Sequence, residues 1–288
     1  MEVLGEGTYG KVIRGHMKCV DMNLNKQYQK LKDNYQLMKI RDEITDEGVI
    51  KVLGKLKLID IDQIYFIYEY LIDNMNCKLI NGSYGYIMAD GGVSLKEYFK
   101  KSDNITIDNI VSILIKVVKL VKLLHSHGIV HRDIKPENVV IDEDTNNVCL
   151  IDFDLSFIVD SGYKHIDSEG YFYFPPFINY YDNNTDNFMK IYGKYKLLNE
   201  DYCNKLYKDH SLKTITDNLF KIDVFAIGIS FLDFLYDNRE KLEKDKRFSS
   251  FYELFLNMTN VNPNQQFDLA QTIAVIDIII TAEVRVVD

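Results

Sequence analysis

The chain has 288 residues and a mass of 33.6 kDa, the size of one large domain or of two lobes sharing a chain. With 47% apolar and 27% charged side chains its composition excludes wholesale disorder, and collagen-like, disulfide-scaffold and coiled-coil architectures fail on the same grounds. A formal net charge of −9, from 34 basic and 43 acidic side chains, argues against nucleic acid or an anionic membrane as the main partner. Four cysteines, Cys19, Cys77, Cys149 and Cys203, form no C-x-x-C pair, a pattern of free thiols in a reducing compartment. The opening residues MEVLGEGTYG carry neither a charged n-region nor an apolar h-region, and no run of about eighteen apolar residues follows. A cytoplasmic protein is expected. The 20 Tyr, 4 Pro and absent Trp reflect an AT-rich genome, of the kind many large DNA viruses and some parasites carry, more than a function.

The first third reads as mostly β. Val3–Leu4, Val12–Arg14 and Met17–Asp21 are short strand candidates set apart by Gly-rich or Gly-His turns. Asn25–Ile44 is polar and Lys-rich, and Tyr28, Leu31, Tyr35 and Met38 on a helical spacing predict a helix there. Val49–Ile59 and Gln63–Tyr70 are β-branched and aromatic and predict strands. Asn74–Gly85 predicts a loop, and Tyr86–Met88 a short strand before Ala89-Asp90-Gly91-Gly92. Beyond that turn the pattern is helical, over Ser94–Lys101, the long apolar Asp108–His127, Leu219–Leu235, Phe251–Asn257 and Leu269–Asp277. Within this part His131–Asn138 breaks the helical period, and Val139–Asp142 and Val148–Asp152 predict two short strands. A β-rich first third followed by a larger helical part is a segregated, two-lobed α+β layout.

Two motifs carry chemistry. Gly5-Glu6-Gly7-Thr8-Tyr9-Gly10-Lys11-Val12 is a G-x-G-x-x-G-x-V run, in which glycines let backbone N–H groups approach phosphate closely. The dinucleotide-binding form of this run needs a helix directly after the glycines, whereas Lys11-Val12-Ile13-Arg14 favours a strand. His131-Arg132-Asp133-Ile134-Lys135-Pro136-Glu137-Asn138, set between an apolar helix and a strand, is far more specific. It resembles the catalytic loop of the eukaryotic-type protein kinases. Ile151-Asp152-Phe153-Asp154 is similar to that family's metal-binding D-F-G, and Asp223-Val224-Phe225-Ala226-Ile227-Gly228 to the D-V-W-x-x-G of the helix that anchors the loop.

The resemblance implies a bilobal protein-kinase-like fold. A small β-rich lobe would span about 1–87 and a hinge about 88–92. The helical lobe would run to residue 288 with an insert at about 178–217. It implies ATP as substrate, lying under Gly5–Val12 with its adenine on hinge backbone around Met88 and Asp90. Asp133 would accept or orient the hydroxyl proton of a protein substrate, and Lys135 would stabilise the transferring phosphoryl. Asn138 and Asp152 would hold Mg²⁺, a hard cation suited to oxygen ligands. Lysine at position 135 is the serine/threonine form of the loop. For the strand lysine that anchors the phosphates, Lys18 leaves room for a helix before Val49, and Lys39 of Met38-Lys39-Ile40 is the alternative.

The departures from the family pattern are specific. Asn34 stands where the helix glutamate is expected, with Asp33 beside it, and Asp154 replaces the glycine of D-F-G. Phe177 and Gln266 stand where the family has a buried glutamate–arginine pair, so both partners are exchanged together, which is nearly neutral where losing one is not. Ser161, Tyr163 and Ser168 are candidate phosphorylation sites beside Arg132. His125, His127 and His131 lack the partners of a metal site. Two rival functions are a nucleotide-binding scaffold without efficient phosphotransfer and a small-molecule kinase.

Overall fold

The computed structural model describes residues 2–7, 10–14, 17, 20, 26, 37–41, 47–56, 69–70, 77–79, 81–88, 90–101, 105–161, 172–181, 205–206 and 215–284. The chain divides into two compact units, Met1–Leu95 with Asn138–Ser156, and Lys96–Glu137 with Phe157–Asp288. The first therefore takes in Asn138–Ser156, a stretch the sequence placed with the helical lobe.

In the first unit, β1 (Glu2–Gly7), β2 (Gly10–Arg14), β3 (Leu37–Arg41), β4 (Glu69–Tyr70), β5 (Cys77–Lys78) and β6 (Tyr84–Met88) form one antiparallel sheet in the order β1-β2-β3-β6-β4, with β5 also on β6. Two sequence expectations are corrected here. Leu37–Arg41 is a central strand and not the end of a helix. Leu37, Met38, Lys39 and Ile40 are all buried, as a strand covered on both faces must be, and such a run loses the alternation that marks a strand. The predicted strand Val49–Ile59 is instead helix α1 (Glu47–Leu56). Its β-branched residues suggested a strand. The spacing decides otherwise, because Val52 and Leu56 are fully buried while Lys51 and Gly54 face solvent. Met17 and Val20, the described residues of the expected strand 17–21, are in none. Apart from Lys26, residues 25–36 of the expected helix lie outside the described residues.

A second sheet of this unit has the order β10-β9-β7, from β7 (Val93–Ser94), β9 (Val139–Asp142) and β10 (Asn147–Leu150). Its hairpin is closed by Asp142, whose carboxylate accepts from the backbone N–H groups of Asp144 and Thr145 and from the Thr145 hydroxyl, an Asx-type turn. Gly92 has a φ of +93°, and a Cβ there would stand 2.1 Å from the Ile141 carbonyl oxygen. Only glycine lets the chain enter β7 this way.

The second unit is helical. After α2 (Leu95–Lys101), helix α3 (Ile107–Ser126) starts at a capping box in which Thr106 and Asn109 satisfy each other's backbone N–H. Its apolar positions from Ile107 to Leu124 are buried, apart from the half-buried Ile115 and Leu123. Strand β8 (Ile129–Val130) pairs with β11 (Phe157–Ile158), and α4 (Pro176–Tyr181) follows the segment around Phe174. Helix α5 (Lys221–Asp237) is buried along most of its length. The short α6 (Arg239–Leu242), then α7 (Phe248–Met258) and α8 (Leu269–Val284) complete the unit. Gly228 lets α5 and α7 touch, since a Cβ there would lie 2.7 Å from Met258 Cβ.

Phe177 is fully buried in a cluster with Val130, Phe157, Phe174 and Ile222. Gln266, 2% exposed, donates from Nε2 to the Lys221 carbonyl at 2.9 Å. Apolar packing and a neutral amide thus stand at the two positions where the resemblance expects an ion pair. Helix α8 runs past the expected end at Asp277 as far as Val284. The insert expected at 178–217 lies largely outside the described residues. Among the described residues, no helix is long and apolar enough to cross a membrane.

Candidate active site

The first unit carries one group of candidate residues, built around β3. Lys39 is in register with Val12 of β2 and Tyr86 of β6 and is 5% exposed. A buried ammonium must meet anions or give up its charge. Lys39 Nζ donates to Asp152 Oδ1 and to Asp154 Oδ2, each at 2.9 Å. The Asp154 side chain is 4% exposed and that of Asp152 31%, so the two carboxylates are not equivalent. Asp152 has a φ of 66°, a left-handed conformation that costs a non-glycine residue about 1–3 kcal/mol and gathers at functional positions. Asn138 is buried, and its carbonyl oxygen accepts from Ile151 N–H at 3.0 Å, tying the end of the polar loop beside Asp152.

The glycine run forms the β1–β2 hairpin. Gly5, Glu6 and Gly7 lie on β1, Gly10 and Val12 on β2, and Gly7 faces Gly10 across the ladder. Thr8 and Tyr9 lie outside the described residues. Met88 ends β6. Asp90, which follows it closely, accepts from Arg14 Nη1 at 2.7 Å and from Gly92 N–H at 3.1 Å.

The second unit carries a separate group. Asp223 on α5 is fully buried, and its carboxylate accepts from His131 N–H at 2.9 Å and Arg132 N–H at 2.8 Å. His125 Nε2 lies 2.9 Å from the same carboxylate. Those bonds hold the chain where Arg132 turns through a φ of 68°. Asp133 N–H in turn donates to His131 Nδ1 at 3.2 Å, which places that ring nitrogen as an acceptor. The Asp133 carboxylate, nearly buried, takes Lys135 Nζ at 3.1 and 3.0 Å on its two oxygens. Arg132 is 2% exposed, and its guanidinium carbon stands 5.6 Å from the centre of the Phe157 ring and 5.4 Å from that of Phe174, within cation–π range of both. Burial raises the Tyr173 phenol well above its ordinary value, and the carboxylates of Glu137, Asp233 and Asp133 push the same way, so it remains a neutral hydroxyl.

The structure moves the lysine of the third strand from the expected position. Lys18 lies outside the described residues, and its selection assumed a helix at 25–44. With β3 at Leu37–Arg41 and α1 at Glu47–Leu56, the strand lysine is Lys39, and a helix follows it after all. Asn34 and Asp33 lie outside the described residues, as do Tyr163 and Ser168. Ser161 is exposed in a short 3₁₀ turn. The sequence marked Asp154 as a departure from the family pattern and His125 as one of three histidines without the partners of a metal site. The first binds Lys39 and the second Asp223, contacts between segments far apart in the chain that no local pattern announces.

Asn138 and Asp152 offer oxygen donors of the kind Mg²⁺ prefers, too few to enclose it, as suits an ion that keeps waters and phosphates as ligands. Asp152 already holds one cation, the Lys39 ammonium. Among the described residues, no cluster of three or more His, Cys, Asp or Glu forms a metal cage.

Comparison with known proteins gives a consistent result. The family described as "Protein kinase domain" matches residues 1–274. A protein of Acanthamoeba polyphaga mimivirus, named as a serine/threonine-protein kinase, is 27% identical over 221 residues, 75% of this chain and 60% of its own length. One of Dictyostelium discoideum, also so named, is 29% identical over 171 residues, 57% of this chain and 12% of its own length. The chain thus spans less than two thirds of either relative.

Proposed function

The chain belongs to the protein kinase domain family, and from that premise we propose that it transfers the γ-phosphoryl group of ATP, with Mg²⁺, to serine or threonine hydroxyls of a protein substrate. The observation that carries this is Asp133, a nearly buried carboxylate ion-paired to Lys135 on a loop whose backbone is bonded to Asp223. Phosphoryl transfer asks little covalent chemistry of a protein beyond positioning and charge compensation. Asp133 accepts or orients the proton of the attacking hydroxyl. Lys135, beside it, compensates charge on the transferring group. Lys39 offers an ammonium to the nucleotide phosphates, and the glycine hairpin offers backbone N–H groups. Asn138 and Asp152 are the residues to hold Mg²⁺, which supplies Lewis-acid neutralisation of the phosphates. The serine/threonine assignment is supported by Lys135, two residues after the aspartate, and by the names of the two relatives.

The test is phosphate transfer from γ-labelled ATP to protein substrates by the wild type, Asp133→Asn and Lys39→Met. Labelling that falls about 10²- to 10⁴-fold in Asp133→Asn, and also falls in Lys39→Met, is the expected result. A second reading, a nucleotide-binding scaffold, is favoured by the carboxylate of Asp154 held on Lys39. It would be the right one if the wild type bound nucleotide and labelled nothing, whereas undiminished labelling by Asp133→Asn would overturn the role given to Asp133.

A further inference from the structure

We infer that Asp154 is a positioning residue for Lys39, a second and permanent anion that keeps the ammonium aimed when Asp152 turns to a metal ion. The inference rests on the nucleotide reading above.

Four observations support it. The ammonium is shared at equal distance, 2.9 Å, between two carboxylates. Their surroundings differ, because the Asp152 side chain is 31% exposed and that of Asp154 only 4%. Asp152 is open to take a cation from solution, while Asp154 is walled in with the lysine. A carboxylate so placed is held to its buried counter-charge, since separation leaves both ions desolvated. Third, Asp154 is fixed by its own backbone. Ser156 N–H donates to the Phe153 carbonyl at 3.0 Å, closing a turn over Phe153-Asp154-Leu155-Ser156, and Phe153 is 1% exposed. Fourth, the backbone does not require glycine. The described non-glycine residues with positive φ are Arg132, Asn146 and Asp152, and Asp154 is not among them. The aspartate therefore stands where glycine is expected without backbone strain, and its side chain is engaged with the strand lysine.

Lys39 reaches its two anions on a flexible four-carbon stem, whose freedom must be restrained wherever the charge is needed at one point. If Asp152 were the sole restraint, binding of a divalent cation would release the lysine at the moment it is needed. Asp154, too buried to follow the metal, removes that conflict. It touches neither phosphate nor acceptor in this role and acts through Lys39.

The experiment measures affinities of the full chain for ATP with Mg²⁺ and for adenosine, by calorimetry. The proteins are wild type, Asp154→Asn, Asp154→Gly, Lys39→Met and the double variant Lys39→Met/Asp154→Asn, with thermal unfolding to verify that each is folded. Adenosine lacks the phosphates Lys39 would meet, so it reports whether the site itself is intact. The expected result is an ATP affinity weakened about 10- to 100-fold in Asp154→Asn and Asp154→Gly, the range of one charge-assisted hydrogen bond. Adenosine affinity should stay within about twofold, and Asp154→Asn should add nothing in the Lys39→Met background. The glycine variant buries no carboxamide and keeps the test open if the asparagine form does not fold. Equal loss of ATP and adenosine would make Asp154 merely structural and overturn the inference. So would tighter ATP binding by Asp154→Asn, the mark of a carboxylate that competes with phosphate for the lysine. A wild type that binds ATP while the variants match it overturns this inference alone; a wild type that binds neither ligand overturns the nucleotide reading and this inference with it.

Discussion

Each unit of the molecule holds a lysine against aspartate, and the two arrangements are made differently. In the second unit Lys135 and Asp133 are two residues apart, so the chain itself brings them together. What remained to be fixed was the loop's path, and two backbone N–H groups bonded to the buried Asp223 fix it. In the first unit Lys39 meets Asp152 and Asp154 across sequence separations of 113 and 115 residues. That contact exists only when the central strand β3 and the turn after β10 are both in place. A local pair on a pinned loop needs one buried carboxylate to hold it. A distant pair depends on two segments of backbone, and any distortion of either is felt at the charges.

Breaking the pin should have the largest effect. Asp223→Ala leaves two buried backbone N–H donors and the His125 ring without their acceptor, and should lower unfolding free energy by about 3–5 kcal/mol. Asp223→Asn keeps an acceptor oxygen and should lose roughly half as much. Urea denaturation of both variants measures this, and a loss under about 1 kcal/mol in Asp223→Ala would show that the loop is held by something else. Next in size is Gly92→Ala, which forces a Cβ to 2.1 Å from the Ile141 carbonyl oxygen at a φ of +93°. A loss of about 2–4 kcal/mol is expected. Because β9 and β10 lead straight into Asp152, nucleotide affinity should fall with it. Gly228→Ala, with its Cβ 2.7 Å from Met258 Cβ, should cost about 1–3 kcal/mol and leave nucleotide affinity alone. Equal effects on affinity from the two alanines would erase the distinction between the units.

A smaller change tests the arginine of the loop. Phe174→Leu removes one of the two rings beside the Arg132 guanidinium while keeping an apolar side chain, and should lose about 0.5–2 kcal/mol. A urea midpoint unchanged by this variant would mean that the ring contributes packing alone. Only 2% exposed as a residue, Arg132 presents little surface to a phosphorylated side chain, unlike the sequence expectation of candidate sites beside it.

What the sequence made legible follows the same division. The run His131–Asn138 is contiguous, so its residue types and spacing could be read directly, and Asp133, Lys135 and Asn138 needed no knowledge of distant segments. Helices α3 and α5 were equally plain, because long apolar periods survive any context. The first unit misled twice, and for opposite reasons. At Leu37–Ile40 burial on both faces erased the alternation of a strand, and at Val49–Leu56 β-branched composition hid a helical spacing. Those two errors together moved the strand lysine to Lys18. Asp154 was visible as an exception to a glycine, but its partner was not, since nothing within a few residues of it carries a positive charge.

The smallest expected effect lies away from both groups, in the ties of the second unit's helices. Arg247 donates from Nε and Nη2 to Asp245 at 3.0 and 2.7 Å, and from Nη1 to Asp108 in the first turn of α3 at 2.7 Å. The Arg247 hydrogen bond holds the Asp245 carboxyl below the usual carboxylate range, against the opposing pull of desolvation. A carboxyl depressed in the folded state binds its proton more readily in the unfolded chain, so its contribution to stability rises with pH. It is complete above the ordinary carboxylate range and lost as pH falls through that range and below it. Solvent screening keeps the contribution under about 1 kcal/mol. Asp245→Asn should therefore melt slightly below wild type at neutral pH, and the gap should close on acidification. A gap that stayed constant down to pH values where carboxylates are protonated would mean that Arg247 holds α3 through Asp108 alone, with Asp245 contributing shape but no charge.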